Sequence, residues 1–329
     1  MTDSAASPSG PAVASSDSAA PRVGFFGPRG TFTEQALYTQ PDLVTGEVVP
    51  LTSIPDVLAA AESGAVDIGF APIENAIEGS VNVTIDTLAF EADLLIQREV
   101  VIPVSLCLMV VPGVRLDELT RVVSYPHAIA QCRGFVTDKL PAGVVSEPAN
   151  STADAARVLA ESGDRHAGAI GPARAAEVYG LEILANDIED HPDNSTRFVA
   201  VAPAGIPAAT GHDKTSIVVY QRADEPGSLL GILQEFAARQ INLSLLLSRP
   251  TKSRLGEYCF MIDADGHIAD EVVADALRAL KSRQADVKFL GSYPAAGAAA
   301  QAAREVVTDA EAAAQRWIDT LRSGIDHAG

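Results

Sequence analysis

The sequence has little positive charge for its length. Among its 329 residues, 24 Lys and Arg are outnumbered by 43 Asp and Glu, which gives a formal net charge of -19 at pH 7. Proteins that bind nucleic acid or anionic membranes hold phosphate groups with clustered Lys and Arg, and this sequence contains no such cluster. We therefore expect neither nucleic acid nor a membrane as a partner. A small anionic substrate, held by one or two local Arg residues, remains compatible with the composition.

Cysteines are also scarce, and the sequence lacks long apolar runs. Cys107, Cys132 and Cys259 are far apart and lack CxxC or Cys/His spacing, so we expect buried free thiols and no metal site. No stretch of 18 apolar residues free of charge and proline occurs, which argues against a transmembrane helix. Residues 1–21 have neither a basic start nor an apolar run. Their Ser, Ala and Pro content predicts a disordered arm on a cytoplasmic protein.

Short apolar runs alternate with helical segments over residues 22–202. "RVGFFG", "VVPLTSI" and "VDIGFAPIEN" are each followed by a helix-like segment, which is the pattern of a parallel, doubly wound α/β sheet. The long stretch "LLIQREVVIPVSLCLMVV" interrupts this alternation and predicts a crossing between two lobes. Because ligands of open α/β sheets bind beyond the carboxyl ends of strands, we expect the functional site in a cleft between the lobes.

The pattern changes after residue 202. Residues 203–213 are rich in Pro, Gly and Ala and predict a linker. Residues 214–294 follow the order βαββαβ, which is typical of a ferredoxin-like domain. In residues 295–329, apolar side chains recur at helical spacing and predict an amphipathic tail helix.

Polar residues follow the predicted strands of the first lobe. "GFFGPRGTF" carries three glycines, but their spacing departs from the GxGxxG fingerprint, so a nicotinamide cofactor is not expected. Thr31 starts the next helix and is suited to bind an anion or, equally well, to cap the helix. In "APIENAIEGSVNVT", Asn75 can both donate and accept hydrogen bonds at a strand end. Glu74 and Glu78 are either acid–base groups or solvated loop residues.

The predicted second lobe supplies candidates at the starts of its helices. His127 and Gln131 are four residues apart in "SYPHAIAQCRGF" and lie on one helical face. Gln131 is a candidate for the cleft, whereas a histidine at a helix start is more often structural. In "NSTADAARV", Ser151 or Thr152 is suited to cap the helix, and a capping hydroxyl can face a ligand as well.

A Thr-Arg pair opens the last strand of this region, in "DNSTRFVAVA". Strand alternation directs Thr196 and Phe198 to one face and Arg197 to the other. The planar guanidinium of Arg197 suits a carboxylate, and the Thr196 hydroxyl is a compact donor to a neighbouring oxygen. From these residues alone, an ordinary strand start with an exposed Arg is slightly favoured over a binding site.

Taken together, the ordered strings resemble one family. They are "GPRGTFTEQA", "ENAIEGSVNVTIDTL", "SYPHAIAQC", "NSTADAA", "STRFVAV", "DEPGSLL" and "LSRPTK". Over roughly residues 22–294 they are similar to prephenate dehydratases that carry a C-terminal ACT domain. The resemblance implies a two-lobed fold like that of periplasmic binding proteins. It also implies conversion of prephenate to phenylpyruvate with loss of carbon dioxide and water, without a cofactor or metal. Arogenate dehydratase and a non-catalytic amino-acid sensor are the alternatives.

The resemblance assigns roles to individual residues of the cleft. Thr196 is the residue most tied to catalysis, and we expect it to donate a hydrogen bond to the departing oxygen. Arg197 or backbone amides are expected to hold a carboxylate. The remaining cleft residues are expected to be Asn75 and Gln131 in catalysis, with Thr31, Ser151, Thr152 and Phe198 in substrate binding.

The ACT resemblance implies an allosteric site for phenylalanine at the interface of a homodimer or homotetramer. The expected effector contacts are Gly227, Ser228, Leu229, Asn242, Leu243, Ser248 and Arg249. The chain departs from the family pattern at three positions. Ser228 stands for Ala, Leu247 for Glu, and Tyr125 where many relatives have His. Leu247 removes a charge and leaves the identity and strength of the effector open, while Tyr125 suggests that its position is not essential to the chemistry.

Overall fold

The computed structural model describes residues 20–221, 225–251, 257–283, 286–296, 316–318 and 320. Of the predicted N-terminal arm, only residues 20 and 21 are among them. Of the predicted tail helix, only residues 295–296, 316–318 and 320 are described. Within these ranges, no helix combines the length and the apolar character that crossing a bilayer requires.

The first lobe is built on a sheet of six strands in the order β2-β1-β3-β11-β5, with β4 added to β3, and β11 (Ser195–Ala202) comes from later in the chain. Strand β1 pairs in parallel with β2 and β3, as the alternating pattern predicts. Its elements before the crossing are β1 (Val23–Phe26), α1 (Phe32–Tyr38), β2 (Val48–Leu51), α2 (Ile54–Glu62), β3 (Ile68–Asn75), β4 (Gly79–Ser80), α3 (Asn82–Asp86), a π-helical turn (Thr87–Glu91) and β5 (Leu95–Pro103).

The second lobe contains a five-stranded sheet in the order β10-β6-β9-β7-β8. Its elements are β6 (Cys107–Val110), a 3-10 turn (Leu116–Glu118), β7 (Arg121–Ser124), α4 (Pro126–Ala130), α5 (Arg133–Asp138), β8 (Val145–Pro148), α6 (Thr152–Ser162), β9 (Ala167–Gly171), α7 (Ala173–Tyr179) and β10 (Glu182–Ala185).

One helix expected from the sequence is divided in two. "HAIAQCRGFVTDKL" has a helical pattern throughout, but α4 ends at Ala130 and α5 begins at Arg133. Asp190 accounts for the break. Its backbone N–H donates to the carbonyl of Gln131, and its side chain accepts from the backbone N–H of Gly134. Both are groups that a continuous helix would use for its own ladder.

The long apolar stretch crosses between the lobes, as expected, because it forms β5 in the first sheet and β6 in the second. The chain returns through β11 (Ser195–Ala202), which lies antiparallel between β3 and β5. The alternation of short apolar runs and helical segments predicts parallel sheets. Both sheets are instead mixed, because β6 is also antiparallel to its neighbours. These crossings leave a cleft between two α/β lobes, so the fold expected from the likeness to periplasmic binding proteins is confirmed.

The C-terminal domain has the predicted order βαββαβ. Its elements are β12 (Asp213–Tyr220), α8 (Ser228–Ala237), β13 (Leu243–Pro250), β14 (Tyr258–Asp265), α9 (Glu271–Arg283) and β15 (Asp286–Pro294). They form an antiparallel sheet in the order β13-β14-β12-β15. The helices cover one face of this sheet, where Ile232 and Phe236 pack on Phe260. The other face, with Met261 and Tyr293, joins the core of the first lobe.

Candidate active site between the lobes

A cavity of about 460 Å³ lies in the cleft between the two lobes, where the sequence predicts the functional site. We call it the cleft cavity. Both lobes and both crossing segments contribute to its lining. The lining residues are Phe26, Phe32, Pro72, Asn75, Glu78, Val81, Val104, Leu106, Tyr125, His127, Ala128, Gln131, Asn150, Ser151, Thr152, Asn194 and Thr196. The structure therefore brings together five of the predicted site residues, namely Asn75, Gln131, Ser151, Thr152 and Thr196.

Thr196 and Asn75 form the centre of the first lobe's contribution. They are partners in the antiparallel register of β11 and β3, at the ends of both strands. Nδ2 of Asn75 donates to Oγ1 of Thr196 at 2.9 Å. Oδ1 of Asn75 accepts from the backbone N–H groups of Ile77 and Glu78, at 3.0 and 2.9 Å. Strand pairing and a tight turn thus hold the amide in one place.

These contacts also determine the direction of the Thr196 hydroxyl hydrogen. Because two backbone donors occupy Oδ1 of Asn75, its amide must present Nδ2 to Thr196, and the alternative flip is excluded. Oγ1 of Thr196 consequently accepts from Asn75. Its own hydrogen is left to donate elsewhere, and Thr196 lines the cleft cavity. The arrangement supplies a neutral hydrogen-bond donor to a ligand.

Asn194 is a cleft residue that the sequence reasoning missed. Its side chain is 3% exposed, and its Oδ1 has no hydrogen-bond partner within the described ranges. Its Nδ2 contacts Oε1 of Gln131 at 3.5 Å, and this contact links the residue before β11 to the second lobe. Asn194 lies two positions before Thr196, so the strand alternation that directs Thr196 to one face also directs Asn194 to that face. This alternation could have predicted Asn194 as a cleft residue. A buried, unpaired amide oxygen favours a ligand that brings its own donor.

The second lobe offers polar groups at a helix start. Oγ of Ser151 accepts from the backbone N–H of Asp154 at 2.9 Å and so caps α6, while Ser151 and Thr152 also line the cleft cavity. Both expected roles of this segment are thus compatible. The N-terminus of an 11-residue helix attracts a carboxylate through its free backbone N–H groups and its dipole.

Formal charge is sparse in the cleft cavity. Among its lining residues in the described chain there is no Lys or Arg. His127 of the second lobe lies with Nδ1 3.4 Å from Oε1 of Glu78 of the first lobe, and Tyr125 stacks on the His127 ring. The described residues also contain no cluster of three or more His, Cys, Asp or Glu side chains suited to a metal ion.

The structure corrects the expectation that Arg197 binds substrate. Its side chain leaves β11 on the face opposite Thr196 and is buried against the C-terminal domain. Nε lies 2.7 Å from Oε2 of Glu99, and an Nη lies 2.7 Å from Oδ2 of Asp263. Burial by itself lowers the pKa of Arg197, but the surrounding charges of Asp263 and Glu99 outweigh it and raise the pKa well above its usual value. The group is a permanent cation outside the cleft cavity.

Phe198 and Thr31 also lie outside the lining of the cleft cavity. Phe198 is on the same face as Thr196, but two residues deeper in the strand this face is covered by α1, and Phe198 stacks on Phe70 at 5.7 Å. Oγ1 of Thr31 accepts from the backbone N–H of Glu34, so Thr31 is the cap of α1. The capping alternative raised from the sequence describes Thr31 correctly.

A second cavity, of about 560 Å³, lies at the start of α8 and is called the C-terminal cavity below. Its lining residues are Gln221, Glu225, Gly227, Ser228, Leu229, Leu230, Leu233, Ser248, Tyr258 and Phe260. Four of the predicted effector contacts are among them. Asn242, Leu243 and Arg249 are not, because Asn242 binds Asp265 and Leu243 packs in the domain core. Arg249 pairs with Asp86 of the first lobe at 2.8 Å.

Leu247 likewise does not line the C-terminal cavity. It packs against the core that the C-terminal sheet shares with the first lobe, on the same face of β13 as Arg249. Where the family pattern has a Glu, this chain has Leu247 at the interface between the domains. The missing carboxylate is therefore missing from that interface, and the lining of the C-terminal cavity is unaffected.

Comparison with known proteins identifies the family of the chain. Residues 23–205 match the family model described as prephenate dehydratase. A curated relative named prephenate dehydratase, from Mycobacterium sp. (strain JLS), is 41% identical over 322 residues, which cover 93% of this chain and 97% of the relative. The chain belongs to the prephenate dehydratase family.

The catalytic region of this prephenate dehydratase family member is followed by an ACT domain, since residues 215–282 match the ACT model. The crystal structure of prephenate dehydratase from Arthrobacter aurescens in complex with L-Phe is 41% identical, covers 92% of this chain and 100% of that one, and superposes with a TM-score of 0.76. GqqA, described as a novel type of quorum quenching acylase, is 27% identical and has a TM-score of 0.74, with coverage of 84% and 98%. The family and the ACT domain expected from the sequence are confirmed.

Proposed function

We propose that the protein converts prephenate to phenylpyruvate in the cleft cavity, with Thr196 assisting the departure of the ring hydroxyl group. The observation that carries this proposal is the pair of Thr196 and Asn75. Asn75 donates to Oγ1 of Thr196 at 2.9 Å and leaves the Thr196 hydrogen to donate to a substrate oxygen. The family of the chain supplies the reaction, and this geometry supplies a donor suited to it.

The chemistry requires orientation and one well-placed donor. The bond between the ring and its carboxylate breaks, its electron pair enters the ring, and the hydroxyl group on the opposite ring carbon leaves. A proton from solvent joins the departing hydroxide, so the products are phenylpyruvate, carbon dioxide and water. Because the ring becomes aromatic, the driving force lies in the substrate. Thr196 is too weak an acid to lose its proton and stabilises the leaving oxygen by hydrogen bonding.

Neutral groups hold the two substrate carboxylates in this proposal. The start of α6, with Ser151 and Thr152, offers backbone N–H groups and hydroxyls. The amides of Gln131 and Asn194 lie beside each other in the lining of the same cavity. Weak, neutral binding of the carboxylates leaves the electron pair of the reacting carboxylate free to enter the ring.

The C-terminal cavity is proposed to bind phenylalanine and to inhibit the enzyme. Leu229, Leu230, Leu233 and Phe260 give it an apolar wall for an aromatic ring, and Gly227 caps α8 in the left-handed region at φ 90°. The Arthrobacter aurescens relative binds L-Phe. We further propose a cytoplasmic homodimer or homotetramer in which a second ACT domain completes this cavity.

A direct assay of phenylpyruvate formation tests the reaction. The wild type should turn over prephenate, and Thr196→Val, which keeps the shape of the side chain, should lower kcat by about 100- to 1000-fold. Thr196→Ser keeps the hydroxyl and should retain most of the activity. A wild type without dehydratase activity would contradict the proposal and favour a non-catalytic sensor. Near-normal turnover by Thr196→Val would contradict the role of this residue.

Arogenate is a second candidate substrate, and one observation favours it. Arogenate carries an ammonium group where prephenate has a ketone, and the Glu78 carboxylate lines the cleft cavity. Side-by-side kinetics of the wild type and Glu78→Gln separate the two. If arogenate is the substrate, Glu78→Gln should lower kcat/KM for arogenate selectively. If prephenate is the substrate, arogenate should be turned over poorly by both proteins.

A further inference from the structure

The side chain of Arg197 lies in a buried polar cluster between the catalytic region and the ACT domain. Arg197 is 8% exposed, whereas Asp263 and Tyr293 of the ACT domain are fully buried. An Nη of Arg197 lies 2.7 Å from Oδ2 of Asp263, and an Nη donates to the hydroxyl of Tyr293 at 2.9 Å. Glu99 of β5 balances the charge from the catalytic side, 2.7 Å from Nε.

The ACT side of this cluster is itself tightly connected. The hydroxyl of Ser216 on β12 donates to Oδ1 of Asp263 and is 2.6 Å from the hydroxyl of Tyr293. Burial raises the pKa of Tyr293 well above its usual range, so its phenol stays neutral. Strands β14 and β15 therefore contact the guanidinium of Arg197 directly, and Ser216 of β12 holds both of these contacts in place. Any relative shift of these strands must move Arg197 or break buried ionic contacts, which is costly.

The two faces of β14 connect this cluster with the C-terminal cavity. Tyr258 and Phe260 line that cavity, on the face covered by the helices. Asp263 is on the opposite face, because alternate residues of a strand point to opposite sides. Phe260 and Asp263 are only three residues apart on the same strand. We therefore expect a ligand that displaces β14 on one face to disturb the contact of Asp263 with Arg197 on the other.

On the catalytic side, Arg197 is bonded directly to Thr196. The two residues share one peptide unit at the start of β11 and point to opposite faces, one to the ACT domain and one to the cleft cavity. A small rotation of this peptide changes the position of the Thr196 hydroxyl, and misplacement of a catalytic group by about 1 Å can cost on the order of 100-fold in rate.

We propose that Arg197 is a positioning residue through which the ACT domain holds the Thr196 hydroxyl in place and through which ligand binding at the C-terminal cavity alters it. This inference rests on the proposed role of Thr196 and names the contacts that carry regulation. Asp263 and Tyr293 are the ACT groups that contact the guanidinium, and neither is among the residues that line the cleft cavity or the C-terminal cavity.

Two variants of the full-length chain test the coupling. Tyr293→Phe removes one hydroxyl group, and Asp263→Asn removes one charge while keeping the side-chain shape. Lys288→Met is the matched control. Nζ of Lys288 donates to the carbonyls of Leu88 and Ala92 across the same interface without touching Arg197. For each protein, kcat and KM for prephenate are measured with and without saturating L-phenylalanine, and L-phenylalanine binding is measured separately.

We expect Tyr293→Phe and Asp263→Asn to lower kcat by about 2- to 30-fold with little change in KM, the range found for mutations along coupled contacts. We also expect L-phenylalanine to bind but to inhibit much less than it inhibits the wild type. L-phenylalanine that binds the folded state also raises the folded fraction, so both rates are expressed per folded protein, and on that basis a purely structural defect would not change their ratio. Lys288→Met should keep the wild-type ratio.

Three results would overturn the coupling while leaving the proposed reaction intact. In the first, both variants keep the kcat of the wild type and are inhibited as strongly as the wild type. In the second, Lys288→Met loses inhibition to the same extent as the two variants. In the third, L-phenylalanine binds to the wild type without changing its turnover. A wild type that does not turn over prephenate would overturn the proposed function, and the coupling with it. Tyr293→Phe, the mildest change, keeps the test decisive if Asp263→Asn does not fold.

Discussion

Asn75 and Thr196 lie opposite each other on neighbouring antiparallel strands, and Nδ2 of Asn75 donates to Oγ1 of Thr196 at 2.9 Å. The replacement Asn75→Asp tests what this donor does. An aspartate still accepts from the backbone N–H groups of Ile77 and Glu78, so the turn should persist. It accepts from Thr196 instead of donating to it, which draws the hydroxyl hydrogen away from the substrate.

We therefore expect Asn75→Asp to fold normally and to lose about 100- to 1000-fold in kcat, as removal of an oriented donor does. Circular dichroism and a thermal melt provide the control for folding. Turnover near the wild-type level in a folded Asn75→Asp protein would show that the orientation of Thr196 does not depend on Asn75.

Gly291 of the ACT domain packs directly on the backbone of β5 in the first lobe. An added Cβ at Gly291 would clash with the carbonyl oxygen of Ile96, and its φ of +136° is unfavourable for other residues. We expect Gly291→Ala to destabilise the protein by about 1–3 kcal/mol or more, measured by urea unfolding. Gly64→Ala is the control, because Gly64 also has positive φ but no atom within 4 Å of its Cβ position. Equal losses for both variants would refute the steric cause.

The cysteine thiols should be unreactive in the folded protein. Burial raises the pKa of Cys107 and Cys259 from 9.0 to about 11 and that of Cys132 to about 12. The thiolate is the reactive form, so we expect negligible alkylation by iodoacetamide at pH 8 and complete alkylation after denaturation, followed by mass spectrometry. Rapid labelling of the native chain would contradict this burial.

The same pKa shifts give the thiols a defined effect on stability. Their folded pKa values lie above those of the unfolded chain. Their contribution to stability is therefore fully present below about pH 9 and is lost as the pH rises towards 11 to 12. Urea unfolding at pH 8 and pH 10 should show the decrease, and replacing a cysteine by Ala or Val should reduce the difference between the two values.

Arg249 should contribute to the domain interface without binding the effector. Its guanidinium pairs with Asp86 at 2.8 Å and is absent from the lining of the C-terminal cavity. We expect Arg249→Met to lower stability by about 1–3 kcal/mol, because it leaves a mostly buried carboxylate without this partner. Calorimetry should show unchanged affinity for L-phenylalanine. If Arg249→Met lowered the affinity for L-phenylalanine more than a Leu247→Ala control does, Arg249 would be a residue of the effector site.

The sequence predicts the lobes, the crossing and the C-terminal βαββαβ order because hydrophobic periodicity reports local structure. It does not predict the partners of β11, since the apolar run of residues 198–202 pairs equally well with either sheet. Only the completed fold places β11 between β3 and β5. The break between α4 and α5 escapes the pattern for a similar reason, because it depends on Asp190, which is remote in sequence.

A local sequence pattern also cannot show which of the predicted site residues line the cleft cavity. Thr196 and Asn75 lie at strand ends, where a polar side chain has few partners of its own element. Arg197 also starts a strand, but the carboxylates that bind it come from β5 and β14. Alternation predicts that Arg197 points away from Thr196, and no local signal reveals the ACT domain on that side.

Strands β14 and β15 share a core with the first lobe. The boundary between the prephenate dehydratase and ACT segments of the sequence therefore does not separate two independently stable units. A chain cut after residue 202 would expose Val199, Val201 and Ile96 where Met261 and Tyr293 now pack on them. Exchange of the regulatory segment between relatives can therefore succeed only if the donor sheet brings a matching apolar face and an acid for Arg197. The two segments therefore share one core, although each is recognised separately in the sequence.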